Sequence, residues 1–245
     1  MDISFENVAE HYSGRVPYLP EFFARAAKHF GLSPNASTLL DLGCGTGAMA
    51  IGFAPYCQSV LAVDKSESML AHRREAPANV RFQQADVNAE DTTLPVRADL
   101  VTIGIAVHFF DKAKLMALLD AVSTPSAAVF VCGTTISAET PWFAQYVKLR
   151  APYGALKEPL DVYGHARFAG TRWSRQQFLR VTAQKQFSAR DLLAHALSYP
   201  NLMEVILKDK DNFESRLEKL LAPHYVSPNH AVAEFVSWGL EYRRH

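Results

Sequence analysis

With 245 residues, 49% of them hydrophobic, the chain can fill a substantial α/β core and suits one domain with an insertion better than two independent domains. Its 25 Lys and Arg balance 25 Asp and Glu, which excludes a global field that would draw it to nucleic acid or an anionic membrane and leaves recognition to local clusters. No apolar run approaches about 18 residues, Met1 to Glu6 has neither a basic nor an apolar leader segment, and Cys44, Cys57 and Cys132 lack C-x-x-C spacing. The expectation is a cytoplasmic protein without a membrane span, disulfide framework or metal.

Residues 1–36 read as an N-terminal cap, in which Pro20 to Phe30 has helical apolar spacing and Gly31 stops the helix. Thr38 to Leu42 is an apolar strand bearing Asp41, followed by Gly43, Gly45 and Gly47; glycine there lets backbone approach a ligand and permits positive φ before the next helix. Thr46 to Ala54 is a small-residue helix ended by Pro55. Ser59 to Asp64 is a second buried strand, with Lys65 after it and Ser66 as cap of a helix running to about Glu75. A third strand starts at Val80, with Asp86 and Val87 just past it. Asp99 to Ile105, which includes Gly104, is the fourth strand; His108 follows, then a helix from near Asp111 to near Val122, and Ala127 to Cys132 is the fifth strand. This alternation over residues 37–135 predicts a doubly wound, mostly parallel sheet.

From Ile136 to Arg190 the rhythm fails, and residues 136–200 read as a substrate cap inserted after strand five. Helices resume at Asp191 to Leu197 and Asn212 to Leu221, and Ala231 to Tyr242 is a terminal strand, with Phe178 to Phe187 a candidate for another. Residues 201–245 thus supply a C-terminal helix and strand to a single domain. Within 136–190, nine cations face only three acids, and Trp142, Tyr146, Tyr153, Tyr163, Phe168 and Trp173 are interleaved among them. Such a segment suits an anionic or planar ligand, although charge runs are also ordinary solvated faces and aromatics ordinary core.

The acids at 41, 64 and 86 lie 23 and 22 residues apart, about one strand plus one helix, so successive strand ends deliver them to one sheet edge. Three acids suit a cationic ligand. Gly43, Gly45 and Ala48 alone also satisfy a loose dinucleotide pattern, but a pyrophosphate is poorly served by the acid before them. The ordered set of acid, G-x-G-x-G and two further strand-end acids resembles the class I S-adenosylmethionine-dependent methyltransferases. The resemblance implies a Rossmann-like seven-stranded sheet with an antiparallel terminal strand, S-adenosyl-L-methionine as cofactor, and transfer to an O, N or C nucleophile.

Looser likeness lies at both ends. His11 to Pro20 resembles the opening Y-x-x-x-R-P-x-Y-P of small-molecule methyltransferases near trans-aconitate methyltransferase (methyltransferase type 11 domain), with Tyr12 and Arg15 three apart instead of four. His108-Phe109-Phe110-Asp111 is similar to that group's H-W-F-D, and Phe187 to Leu193 with Ser198-Tyr199 to its cap helix. On this reading Asp41, Gly43, Gly45, Gly47, Asp64, Lys65, Asp86, Val87, Gly104, Tyr12 and Arg15 contact the cofactor. Asp64 takes the ribose hydroxyls, and Asp86 and Val87 take the adenine. His108 is a candidate general base or a packing histidine. Tyr18, Trp142, Arg167, Arg172 and Trp173 are candidates for binding the acceptor, a small anionic or aromatic metabolite. Nucleic acid and membrane are not expected as partners, and the chain is expected to be a monomer or homodimer. The alternatives are an RNA or protein methyltransferase and a non-catalytic S-adenosylmethionine-binding partner protein.

Overall fold

In the computed structural model, residues 8–154 and 161–245 are described; Met1 to Glu6, and Lys157 and Glu158 of the charged segment, lie outside them. A 3-10 turn, Ala9–Gly14, precedes α1 (Pro20–Phe30). The alternating core follows as β1 (Thr38–Leu42), α2 (Ala48–Phe53), β2 (Ser59–Asp64), α3 (Glu67–Ala71), β3 (Val80–Gln84), β4 (Ala98–Gly104), α4 (Lys112–Val122) and β5 (Ser123–Ile136). Then come α5 (Phe143–Arg150), α6 (His165–Phe168), β6 (Trp173–Phe187), α7 (Ala189–Leu197), α8 (Pro200–Leu207), α9 (Lys210–Leu221), β7 (Tyr225–Ser227) and β8 (His230–Arg244). None of the described helices is long and apolar enough to cross a membrane.

The strand order is β3-β2-β1-β4-β5-β8-β6, with β7 antiparallel to β8. β1 pairs in parallel with β2 and β4, β2 with β3, and β4 with β5. The mixed, mostly parallel sheet expected from the sequence is present. It has eight strands among the described residues where seven were expected, because the three-residue β7 is too short to leave a pattern. The helix from Ser66 stops at Ala71, earlier than Glu75; its Ser66 cap, accepting the Met69 amide at 3.2 Å, is as expected.

The chain divides into two compact units. The larger is Tyr18–Gly133 with Leu160–Val181 and Ser237–His245; the smaller is Met1–Pro17 with Thr134–Pro159 and Thr182–Val236. In the larger, Leu39, Leu40, Leu100, Val101 and Val129 are fully buried on adjacent strands, as a sheet covered on both faces requires. α1 buries Phe22, Phe23, Ala26 and Ala27 along one stripe, and Phe22 stacks on Phe130 of β5 at 5.6 Å. Burying each such ring is worth about 1.5–3 kcal/mol. Gly31, at φ 63°, ends the helix in the left-handed conformation. In the smaller unit Phe213, Leu217 and Leu221 make the buried stripe of α9, while Ser188 and Asp191 form a capping box at the start of α7.

Candidate functional site

The parallel strands of the larger unit end at one edge, and growth of the sheet reverses between β1 and β4, so the loops after these strands diverge at a topological switch point. The loop after β1 is built for close approach. Gly43, Gly45 and Gly47 have φ of 68°, 55° and 91°, where a side chain costs about 1–2 kcal/mol. A Cβ at Gly43 would also lie 2.6 Å from the Ala106 Cβ, and one at Gly47 2.7 Å from the Phe82 ring. The Gly43 and Cys44 amides donate to the Val63 carbonyl at 2.8 and 3.0 Å, and the Gly45 amide donates to Asp64 Oδ2 at 2.8 Å. These bonds to the end of β2 fix the shape of the loop. Burial, with Asp41 and Asp64 nearby, holds the Cys44 thiol well above its usual pKa, so it is neutral and no nucleophile.

Asp41 and Asp64 lie in the last residues of β1 and β2, and Asp86 lies two residues past β3. Asp41 is 1% exposed; Oδ1 accepts from the Thr102 hydroxyl at 2.8 Å and Oδ2 from the Ala50 amide at 3.2 Å. Burial raises its pKa to about 7 despite those two bonds, and the charge of Asp64 adds to the shift. Near neutral pH, Asp41 therefore exchanges between acid and carboxylate. Asp64 is half-buried, with Oδ1 accepting from the Ser66 amide at 2.9 Å and Oδ2 from Gly45, so each oxygen keeps a further lone pair. Asp86 is exposed, accepts from the Asn88 amide at 2.9 Å and precedes Val87, which is 4% exposed. Lys65 is exposed, and its carbonyl accepts from Gln84 Nε2 at 3.1 Å.

The loop after β4 completes this edge. A Cβ on Gly104 would sit 2.9 Å from Met49 Cγ and 3.1 Å from the Tyr18 hydroxyl oxygen, and Tyr18 itself stacks on Phe22 at 5.8 Å. Ile105 follows with φ 52°, a rare conformation for a β-branched residue, held by its amide donating to the Cys132 carbonyl at 2.8 Å. His108 lies in the 3-10 turn Val107–Phe109, its ring 4.0 Å from that of Phe109. Arg167 braces the turn, Nη2 donating to the His108 carbonyl at 2.9 Å and Nε to the Phe110 carbonyl at 2.6 Å. Asn88 ties in the loop after β3: Nδ2 donates to the Phe109 carbonyl at 3.0 Å, and Oδ1 accepts from the Asp111 amide at 2.7 Å.

The remaining expected residues are distributed over both units. In the larger, Arg172 donates to Asp120 at 2.8 Å, and Trp173 is 2% exposed with the Arg244 guanidinium 5.1 Å from its ring. In the smaller, Trp142 is fully buried and donates its indole N–H to the Val232 carbonyl at 3.0 Å, while the Arg15 guanidinium lies 5.3 Å from the Tyr12 ring. Sequence reasoning passed over Thr102, Ile105 and Asn88. A hydroxyl inside an otherwise apolar strand was the available signal for Thr102; the other two have none that is local.

Residues 39–124 match the family described as methyltransferase domain. The chain is 24% identical over 159 residues to the probable S-adenosylmethionine-dependent methyltransferase CRG1 of Saccharomyces cerevisiae, covering 62% of this chain and 54% of that protein. It spans about half or less of the length of the curated relatives it matches. Among solved structures, a protein assigned as a type II methyltransferase from Anaeromyxobacter dehalogenans has a TM-score of 0.71 at 20% identity, over 94% of this chain and 97% of that one. An S-adenosylmethionine-dependent methyltransferase from Thiobacillus denitrificans, solved in complex with S-adenosyl-L-homocysteine, has a TM-score of 0.57 at 15% identity over 100% of both chains. At these identities the two structures speak for the fold alone. Over residues 39–124, which carry the glycine loop and the strand-end acids, the chain is similar to a methyltransferase domain, and its fold is shared with the two solved methyltransferases.

Proposed function

We propose that the protein transfers the methyl group of S-adenosylmethionine to an oxygen, nitrogen or carbon nucleophile of a small anionic or aromatic metabolite. The observation that carries this reading is the glycine loop bonded to Asp64, a carboxylate with a spare lone pair on each oxygen, beside exposed Asp86 and buried Val87. The residues fit the cofactor: no Cβ stands in the way at Gly43, Gly45 or Gly47, and the strand-end acids complement a cation. When bound, it supplies a methyl group already activated by a positively charged sulfur. Asp64 accepts the ribose hydroxyls, Asp86 and the Val87 amide take the adenine edge, and Lys65 and Gly104 line the neighbouring backbone. Asp41, charged or through a water, holds the cationic methionine end.

The protein's own part in transfer is orientation and exclusion of water. Arg167 positions His108 by holding the carbonyls of residues 108 and 110, and the imidazole takes a proton from acceptors that need a base. A carboxylate acceptor needs none. Tyr18, against Gly104, faces the same edge as an acceptor contact. Trp173 and the Arg172 pair with Asp120 support the walls on this reading. Titration calorimetry tests it: S-adenosylhomocysteine should bind and NAD should not, and transfer of a labelled methyl group should follow when an acceptor is supplied. Binding of NAD alone would refute the reading.

A further inference from the structure

The larger unit carries a cavity that the methyl-transfer reading does not use. The sequence suggests a helix to about Glu75, but α3 ends at Ala71, and residues 72–79 cross to β3 in turns and irregular backbone. Between this crossing and β3 lies a cavity of about 710 Å³, within the range of about 300–1,000 Å³ for small-molecule sites. Its described lining combines charge with apolar surface. Arg73, Arg74 and Arg81, all exposed, stand against one acid, Glu75, while Leu70, Val80 and Phe82 are the larger apolar groups.

Separate contacts set the arginines in place. Arg73 Nη1 donates to the Leu70 carbonyl at 2.9 Å, and its guanidinium lies 5.7 Å from the centre of the Phe82 ring. The Arg74 amide donates to the Thr46 carbonyl at 3.1 Å, so the backbone at this position is fixed from the glycine loop. Arg81 Nη2 donates to Gln83 Oε1 at 3.1 Å. Each of the two guanidinium bonds uses one of five N–H donors, which leaves the planar forks able to grip an anion.

Charge sets the class of that anion. Three cations and one acid leave an excess of two positive charges around the cavity. A phosphate monoester carries about −1.5 to −2 at neutral pH and matches this excess, whereas a monocarboxylate supplies about half of it. Arginine's fork also fits phosphate oxygens in pairs. Volume sets the size of the ligand: a bare phosphate leaves most of the cavity unfilled, and Phe82 with Leu70 offers a surface to a flat organic body. S-adenosylmethionine has no phosphate, so the cavity is not a second account of the cofactor site.

We propose that Arg73, Arg74 and Arg81 bind the phosphate of a small organic phosphate monoester whose flat body rests on Phe82. The inference stands whether or not the protein transfers methyl groups.

Calorimetric titration of the full chain tests it, with S-adenosylhomocysteine at saturation so that a nucleotide does not enter the cofactor site. The probes are AMP, phenyl phosphate, benzoate and inorganic phosphate. At least one ester should bind at millimolar concentration or below, and at least tenfold more tightly than benzoate or inorganic phosphate. Arg74→Gln and Arg81→Gln should each weaken that ester tenfold or more, with circular dichroism unchanged and affinity for S-adenosylhomocysteine within twofold of the parent's. Arg25→Gln, in an exposed pair with Glu21 on α1, should leave ester binding within twofold. A readout that needs no variant is labelling of the parent with an arginine-specific dicarbonyl, followed by mass spectrometry. Saturating ester should protect Arg74 and Arg81 but not Arg25. Should the parent fail to bind S-adenosylhomocysteine, the methyl-transfer reading falls, and the ester titration repeated alone with the same variants still judges the site. The proposal is overturned if neither ester binds, if benzoate or inorganic phosphate binds as tightly as the better ester, if both variants bind ester like the parent, or if labelling of Arg74 and Arg81 is unaffected.

Discussion

Asp64 already accepts from two backbone amides, so on the proposed function its replacement would act twice, removing an acceptor from the ribose and releasing the Gly45 amide from its anchor. Asp64→Ala is expected to weaken S-adenosylhomocysteine binding by about 1.5–3 kcal/mol, the range for hydrogen bonds to a charged group, with circular dichroism unchanged. Unaltered affinity in calorimetry would remove Asp64 from the site. Asp41 makes a prediction about pH. Its folded pKa of about 7 stands above the ordinary aspartate value of 3.8, so folding favours the protonated form; that stability is fully present below about pH 3.8 and is lost as pH rises through about 7. Asp41→Asn, a fixed neutral stand-in, should lack this slope. The melting temperature of the parent should therefore fall relative to the variant between pH 4 and pH 7, and a flat difference would mean that Asp41 stays ionised in the fold.

At the level of elements, Gly31 isolates backbone strain from crowding. It caps α1 at φ 63°, and nothing lies within 4 Å of where its Cβ would stand, so Gly31→Ala costs only the left-handed conformation, about 1 kcal/mol. For a chain of this size, scanning calorimetry should show a melting temperature lower by about 2–4 °C; no change would mean that the helix end relaxes. This stop was readable because glycine follows an unbroken apolar stripe. The core strands were readable for a similar reason: both faces are covered, so they are runs of Leu, Val and Ile that end at acids or glycine. β6 was largely hidden. Of its fifteen residues only Trp173, Val181 and Phe187 are buried, and it ends the strand order, so no alternation of two marks it. α8 was missed because Pro200, its first residue, reads equally well as a break. The acids of the candidate site announced themselves by spacing, whereas Thr102 and Asn88 depend on partners remote in sequence.

For the whole molecule, ligand binding and stability are linked. S-adenosylhomocysteine at a hundred times its dissociation constant should add about 2.7 kcal/mol, a rise of about 5–11 °C in melting temperature, and NAD at the same concentration should add nothing. An equal shift with NAD would contradict the assignment of the cofactor. Through a single planar amide, Asn88 joins the loop after β3, on the adenine side of the proposal, to the turn carrying His108 after β4. On the proposed function, a nucleoside that settles the first loop would set the second before the acceptor arrives. The kinetic consequence is a compulsory order of addition: S-adenosylhomocysteine should compete with S-adenosylmethionine but inhibit non-competitively toward the acceptor. Asn88→Asp keeps the oxygen that accepts from Asp111 but loses the N–H that holds Phe109, and should shift the pattern toward random addition.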